Sequence, residues 1–149
     1  MNILAIDPGT RCGWASFYAG HVESGTHEFP LPRGCSPGLR FLRFRSWLAD
    51  MIRMSQPDLI VYERPHLRGG YAVDLLVGFT SRIQEACAEA GIECEAVHSA
   101  TLKKAATGSG RADKRAMLEA ASERFGKRID DDNEADALML LWLAMREHK

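Results

Sequence analysis

The stretch "NILAIDPGTRCGWASFYAGHVESGTHEF" (residues 2–29) contains three strand-like runs separated by short turns. Residues 2–7 are mostly apolar and end on an aspartate, and a Pro-Gly turn follows them. Residues 12–20 and 21–29 alternate loosely between apolar and polar side chains, which is typical of β-strands. Three consecutive strands joined this closely predict an antiparallel meander.

Helices and strands alternate in the rest of the chain. Apolar residues recur at helical spacing over 39–54, with arginines between them, and predict an amphipathic helix with a basic face. The apolar run 57–63 predicts a fourth strand that ends on Glu63. The remaining predicted elements are a helix over 71–91, a strand over 92–97, and helices over 99–106, over 113–126 and from about 132 to the C-terminus. This order predicts an α/β fold in which one mixed five-stranded sheet is flanked by helices.

Composition narrows the class of protein. The chain has 149 residues, of which 46% are hydrophobic and 26% are charged, so we expect residues 1–149 to form a single globular domain. Its apolar runs are too short to span a membrane, and its N-terminus lacks the pattern of a signal peptide. We therefore expect no membrane partner, and the four cysteines, which form no C-x-x-C pair, favour a reduced, cytoplasmic setting.

Carboxylates collect at two strand ends and at the start of the last helix, "RIDDDNEADALMLLW" (128–142). If the strands that end on Asp7 and Glu63 are parallel neighbours, both side chains lie at one edge of the sheet. Asp132 and Asp136 are four residues apart and therefore share one helical face. Four carboxylates in one crevice would repel each other, and Mg²⁺ would remove that repulsion. Two such ions about 3.5–4 Å apart would stabilise the attacking and leaving oxygens of phosphodiester cleavage.

Each carboxylate also has an ordinary structural explanation. Asp7 precedes a Pro-Gly turn, and Glu63 could simply be solvated at a strand end. Acidic residues at a helix start commonly cap it and complement the helix dipole. Asp136 fits this explanation poorly, because it lies inside the helical pattern between two alanines, where a carboxylate usually needs a partner.

Basic residues are segregated, although the formal net charge is only −1. The segment "LKKAATGSGRADK" (102–114) places three lysines and an arginine around a Gly-x-Gly turn. Glycines let a backbone approach phosphate closely and lysines supply charge, so the segment is a candidate phosphate-contacting loop. It is not a P-loop, because G-x-x-x-x-G-K-[ST] is absent, and a solvated, flexible loop is the alternative.

Four segments of the chain resemble the motif blocks of RuvC-type Holliday junction resolvases. They are "AIDPGTRCGWA" (5–15), "IVYERP" (60–65), "LKKAATGSGRADKRAM" (102–117) and "DNEADALML" (132–140), in the family's order and across nearly the whole chain. The resemblance implies a ribonuclease H-like fold, a homodimer, Mg²⁺ or Mn²⁺ as cofactor, and paired nicking of four-way DNA junctions. The short length and the "DDNEADAL" variant look more like phage or prophage members, which implies the cytoplasm of a bacterium or a phage-infected host.

The resemblance also implies roles for individual residues. Asp7, Glu63 and Asp136 match the family's acidic metal ligands, and Lys103 and Lys114 match basic residues near the scissile phosphate and the junction backbone. The residues expected to contact DNA are Lys103, Lys104, Arg111, Lys114, His66, Arg40 and Arg43. The catalytic set comprises the metal ligands together with Lys114.

Two positions depart from the family pattern. The family carries an acidic residue or a histidine three positions before the last aspartate, where this chain has Asn133. Either Asn133 ligates through its amide oxygen or Asp132 replaces it as the fourth ligand, and we favour Asp132 because a charged oxygen binds Mg²⁺ better. Housekeeping members place an aromatic residue shortly after the second ligand, and His66, which can also stack on bases, occupies roughly that place here.

The sequence therefore predicts a metal-dependent, structure-selective endodeoxyribonuclease that resolves four-way junctions. A related nuclease acting on replication forks, flaps or RNA is the alternative, since its active-site residues would be the same. The segment 7–10 weakly resembles the phosphate loop of actin and sugar kinases, but those proteins need two domains and a second Asp-Gly loop. A non-catalytic junction-binding protein would not need the full set of acidic residues.

The predicted helix over 71–90 is the expected dimer interface. It carries more apolar residues than one core-facing stripe requires: Leu75, Leu76, Val77, Phe79 and Ile83. The alternative is that this helix is buried in the core of the monomer.

Overall fold

The computed structural model describes residues 1–64 and 70–149. Its strands are β1 (Ile3–Asp7), β2 (Arg11–Tyr18), β3 (His21–Glu28), β4 (Leu59–Arg64) and β5 (Glu93–His98). Its helices are α1 (Gly38–Ser55), α2 (Tyr71–Ala90), α3 (Ser99–Thr107), α4 (Lys114–Phe125) and α5 (Asp132–Glu147). The predicted α/β order is confirmed. The prediction for His66 lies outside the described residues.

One mixed five-stranded sheet with the order β3-β2-β1-β4-β5 organises the described residues. The β1–β2 and β2–β3 pairs are antiparallel, whereas β1–β4 and β4–β5 are parallel, so the predicted meander continues into parallel strands. Strands β1, β3, β4 and β5 consequently end at the same side of the sheet, which we call the carboxyl edge. In the β1–β4 register Ile6 faces Tyr62, and the next residues of the two strands are Asp7 and Glu63.

Helices cover both faces of the sheet. Alternate residues of the central strands, such as Ile3 and Val61, pack with α3, α4 and α5 on one face. The residues between them, such as Leu4 and Ile60, pack with α1 and α2 on the other. Burial on both faces explains why β1 and β4 are apolar runs rather than alternating ones.

Helix α5 is the most enclosed helix on its side of the sheet. It packs against β1, β2 and α4, and almost every residue from Ala135 to Ala144 is buried. A helix that is buried on several sides has few positions for polar side chains, which explains the nearly continuous apolar run that follows Asp136. In the described part of the chain, no helix combines the length and apolarity needed to cross a membrane.

Helix α2 divides its apolar residues between the core and the surface. Phe79 and Ile83 are fully buried, so part of the predicted interface belongs to the monomer core. Leu75 and Leu76 are half-buried against that core, while Val77 is 40% exposed.

Candidate metal centre

Three carboxylates meet at the carboxyl edge of the sheet. Asp7 ends β1, Glu63 lies near the end of β4, and Asp136 projects from the first turns of α5. One carboxylate oxygen of each lies within 4.8 Å of the others, and all three residues are half-buried. We call these three residues the acidic centre.

The start of α5 is held directly on the sheet. Asp131 caps the helix, because its Oδ1 accepts hydrogen bonds from the backbone N–H groups of Asn133 (2.8 Å) and Glu134 (3.1 Å). Gly13 of β2 lies so close that a Cβ atom there would overlap the main-chain carbonyl of Asn133. A glycine in this strand therefore lets the helix start approach closely enough to present Asp136 at the edge.

The acidic centre carries unbalanced negative charge. Burial, followed by the charges of Glu63 and Asp136, raises the pKa of Asp7 well above its ordinary value. Burial, followed by the charges of Glu63 and Asp132, raises the pKa of Asp136 to about 7, against the opposing charges of Lys103 and Lys114. The cluster therefore favours a bound proton or cation over full ionisation.

The chemistry of the donors selects among metals. Within the part of the chain that the structure describes, the clustered ligand atoms are all carboxylate oxygens, without cysteine or histidine. Hard divalent cations such as Mg²⁺ prefer oxygen ligands, whereas Zn²⁺ sites usually include nitrogen or sulfur. The residues present thus fit a hard divalent cation.

Asp132 is not among the residues whose carboxylate oxygens lie within 4.8 Å of one another, and its role as the fourth ligand stays a prediction. It is the first residue of α5, about 6 Å along the helix axis from Asp136 at 1.5 Å per residue. Its Oδ2 lies 3.6 Å from the Nζ of Lys114, so it pairs with a basic residue at the rim of the site. Asn133 is half-buried, and its main-chain carbonyl faces Gly13.

The basic residues of the third motif lie beside the acidic centre. The charges of Lys103 on α3 and Lys114 at the start of α4 both act on Asp136. Lys104 and Arg111 are exposed on the same segment. The turn between α3 and α4 has internal hydrogen bonds: the Ser109 N–H donates to Thr107 Oγ1 (3.2 Å), and the Ala112 N–H donates to the carbonyl of Ser109 (3.2 Å). These bonds favour an ordered turn over the flexible-loop alternative.

The basic residues of α1 have a second role that sequence reasoning missed. Arg40 donates from Nε to the carbonyl of Phe29 (2.7 Å), and Arg43 donates to the carbonyl of Pro30 (3.4 Å). Both arginines therefore anchor the chain that leaves β3, at the same carboxyl edge as the acidic centre.

Further residues at this edge were not predicted. Arg64 lies directly after Glu63 and contacts the Nε2 of His98, which ends the neighbouring strand, at 3.4 Å. Arg11 pairs with Asp131 and Glu28. Arg64 and His98 each end a strand, as their neighbouring carboxylate Glu63 nearly does, and this position is the sequence signal that marks them. Arg11 lies inside the first motif, directly after the turn that follows Asp7.

Comparisons with known proteins find relatives that match most of the chain. No protein-family model matches the chain. A crossover junction endodeoxyribonuclease RuvC from Chloroflexus aurantiacus is 31% identical over 147 residues, which are 94% of this chain and 90% of that protein. The RuvC of Nitratidesulfovibrio vulgaris (strain DP4) is 29% identical over 137 residues, 87% of this chain and 81% of that protein.

A solved structure shares the fold. Thermus thermophilus RuvC in complex with Holliday junction substrate superposes with a TM-score of 0.78 at 20% identity, covering 94% of this chain and 90% of that chain. This likeness establishes the ribonuclease H-like architecture expected from the motifs.

Proposed function

The chain belongs to the RuvC family of crossover junction endodeoxyribonucleases, and from this membership we infer that it is a Holliday junction resolving endonuclease that uses the acidic centre for catalysis. The observation that carries the inference is the convergence of Asp7, Glu63 and Asp136 within 4.8 Å at an edge flanked by lysines. Hydrolysis of a phosphodiester needs a cation site next to groups that can hold a phosphate, and this edge offers both.

The acidic centre would hold Mg²⁺, with Mn²⁺ as a substitute, through Asp7, Glu63 and Asp136. When bound, the cation supplies Lewis-acid activation of water and of the scissile phosphate. The chain's own contribution is to present three carboxylates from different elements. Burial and then their mutual repulsion raise the pKa of Asp7 and Asp136, and the repulsion falls when a cation binds. Asp132 would act from the rim as an additional acidic group.

Lys114 and Lys103 would position the scissile phosphate. Both act electrostatically on Asp136, so a phosphate seated at the acidic centre lies within reach of their charge. Lys114 is exposed and paired with Asp132, an exposed pair that contributes little stability and can be exchanged for a phosphate contact.

Residues on both sides of the acidic centre would hold the DNA backbone. Lys104 and Arg111 lie on the α3–α4 segment, and Arg40 and Arg43 lie near the end of β3. Such contacts to phosphate position a duplex without reading its sequence, which suits an enzyme that selects DNA by shape. A fold neighbour has been solved with a Holliday junction, which supports branched DNA as the partner.

Paired nicking calls for two active sites, and a two-fold dimer would match the symmetry of the junction. We place the dimer interface on α2 and the adjoining part of α1. Exposed apolar side chains lie there: Tyr71 is 66%, Val77 40% and Leu42 63% exposed. Phe41 of α1 packs so closely on Gly78 of α2 that a Cβ there would overlap its ring, so the two helices are in direct contact at this point.

Incubation with end-labelled DNA tests the function. The protein should nick a four-way junction at paired positions when Mg²⁺ is present and should leave it intact in EDTA. A replication fork, a flap and a linear duplex of the same sequence are the matched substrates. A clear preference for forks or flaps would support the alternative substrate, and equal cutting of linear duplex would contradict structure-selective cleavage.

A further inference from the structure

We infer that Arg11 is a positioning residue that, through Asp131, holds Asp136 in the acidic centre. The inference rests on the proposed function of that centre and adds a residue to it. Asp7 and Glu63 lie on neighbouring strands and are held by the hydrogen bonds of the sheet. Asp136 lies on a helix, so its distance from them depends on what ties α5 to the sheet.

Arg11 joins three elements at the carboxyl edge. It begins β2, and its guanidinium binds Asp131, just before α5, through Nε (2.8 Å) and Nη2 (2.7 Å) to Oδ2. Its Nη1 binds Glu28 at the end of β3. An arginine that contacts carboxylates on two different elements fixes their separation better than a lysine could, because its donors have a rigid planar geometry.

Asp131 transmits this contact to the helix. One of its oxygens accepts from Arg11, and the other accepts from the backbone N–H groups of Asn133 and Glu134. Partial burial by itself raises the pKa of Asp131, but these backbone and arginine hydrogen bonds together hold it below its ordinary value. Asp131 is therefore a charged partner of Arg11 and the cap of α5 at the same time.

The neighbouring contacts show that the helix start is seated on β2 and β3. Ser24 of β3 donates to Glu134 (3.2 Å), and the carbonyl of Asn133 lies against Gly13. A helix moves as a rigid unit over its first turns, so a shift at Asp131 displaces Asp136 relative to Asp7.

The ion pair of Arg11 with Asp131 also acts against electrostatic repulsion within the acidic centre. Asp7, Glu63 and Asp136 place carboxylate oxygens within 4.8 Å of one another, so repulsion among those that are ionised favours movement of α5 away from the sheet edge. The Arg11–Asp131 pair opposes that movement before any cation is present. The acidic centre would then be preorganised for the cation, rather than assembled by it.

Binding of Mn²⁺, counted by electron paramagnetic resonance in the absence of DNA, tests the inference. Arg11→Ala and Asp131→Ser should each weaken Mn²⁺ binding by about tenfold, the lower range for groups that orient metal ligands. Asp131→Ser keeps a side chain that caps helices but cannot pair ionically with Arg11. The double variant should bind Mn²⁺ about as well as either single variant, because both remove the same contact.

Two matched variants complete the experiment. Arg11→Lys should recover part of the affinity, since it keeps the charge and loses the planar geometry. Arg53→Ala removes an exposed arginine–aspartate pair on α1 (Arg53 Nη2 to Asp50 Oδ1, 2.6 Å) and should bind Mn²⁺ like the wild type.

The outcomes separate this inference from the proposed function. Unchanged Mn²⁺ affinity in folded Arg11→Ala or Asp131→Ser, even with a lowered unfolding temperature, would overturn the positioning role and leave the acidic centre intact. If the wild type itself binds no Mn²⁺, the metal centre is wrong and the inference fails with it.

Discussion

Asp136 combines burial with negative neighbours, so its charge depends on pH in the physiological range. Its folded-state pKa of about 7 lies above the ordinary 3.8, and between these values the folded protein keeps a proton that the unfolded chain has released. In EDTA, the free energy of unfolding contributed by this group should therefore fall as pH rises from about 4 through about 7.

Thermal unfolding in EDTA checks this dependence. Asp136→Asn cannot ionise, so its unfolding temperature should rise relative to that of the wild type as the pH increases. Asp7 contributes in the same direction in both proteins. A constant difference between the two proteins across this range would show that Asp136 ionises at its ordinary pKa.

Removal of one carboxylate from the acidic centre should abolish cutting without loss of DNA binding. Asp7→Asn and Glu63→Gln each remove a proposed ligand and a negative charge that faces the DNA. We expect no nicking of an end-labelled junction, while a gel shift in EDTA shows equal or tighter junction binding. Substantial cleavage by Asp7→Asn would refute the assignment of the site.

Asp132 and Asn133 can be separated by substitution. Asp132 pairs with Lys114 at the rim and its charge acts on Asp136, whereas Asn133 contacts Gly13 through its main-chain carbonyl, which Asn133→Ala keeps. Nicking rates should therefore fall by a large factor in Asp132→Asn and little in Asn133→Ala. The reverse ranking would make Asn133 the fourth ligand, and two mild effects would leave only capping contributions, worth about 0.5–2 kcal/mol of stability.

At the scale of helices and strands, the contact between α5 and β2 depends on Gly13. Gly13→Ala would bring a Cβ onto the Asn133 carbonyl, and because both are backbone groups, neither strand nor helix can avoid the overlap cheaply. We expect a loss of about 1–3 kcal/mol in the free energy of unfolding, as for other overpacked sites.

Chemical denaturation measures that loss, and Gly38→Ala is the control. A Cβ at Gly38 would make an ordinary contact with Ser36 Oγ at 3.6 Å, so its stability should stay the same or rise slightly. Equal stabilities of the two variants would show that α5 can move away from β2 without cost.

At the scale of the whole molecule, the oligomeric state decides whether paired nicking is possible. Val77→Glu places a charge on the exposed apolar surface of α2 and should give a folded monomer that binds junctions poorly and does not nick them in pairs. Sedimentation at micromolar concentration measures the state of both proteins. Met54→Glu, at a 63% exposed position near the end of α1, is the control and should sediment like the wild type.

Two results would contradict a dimer that forms through α2. A wild type that sediments as a strict monomer, both free and on junction DNA, would exclude the paired-nick mechanism. Unfolding of Val77→Glu would place its side chain in the core and the interface elsewhere.

The sequence by itself determined the order of elements, the mixed sheet and the identity of the acidic residues. The spacing of apolar residues that predicts a strand or a helix is a local property of the sequence. The motif segments contain the acidic residues that the proposed reaction needs. Asp7 and Glu63 could be named from the sequence because each ends a predicted strand. Asp136 could be named because it lies inside a predicted helix, where capping does not explain a carboxylate. The assignment to phage or prophage members and the single domain over residues 1–149 stay predictions.

Only the tertiary structure decided how the named residues meet. Asp132 and Asp136 share a helical face, yet one pairs with Lys114 and the other joins the acidic centre, because they lie one helical turn apart, about 6 Å along the axis. The Arg11–Asp131 pair links residues 120 positions apart, and no local pattern encodes such a distance. Contacts of this kind arise from the packing of α5 on β2, which depends on the whole sheet being formed.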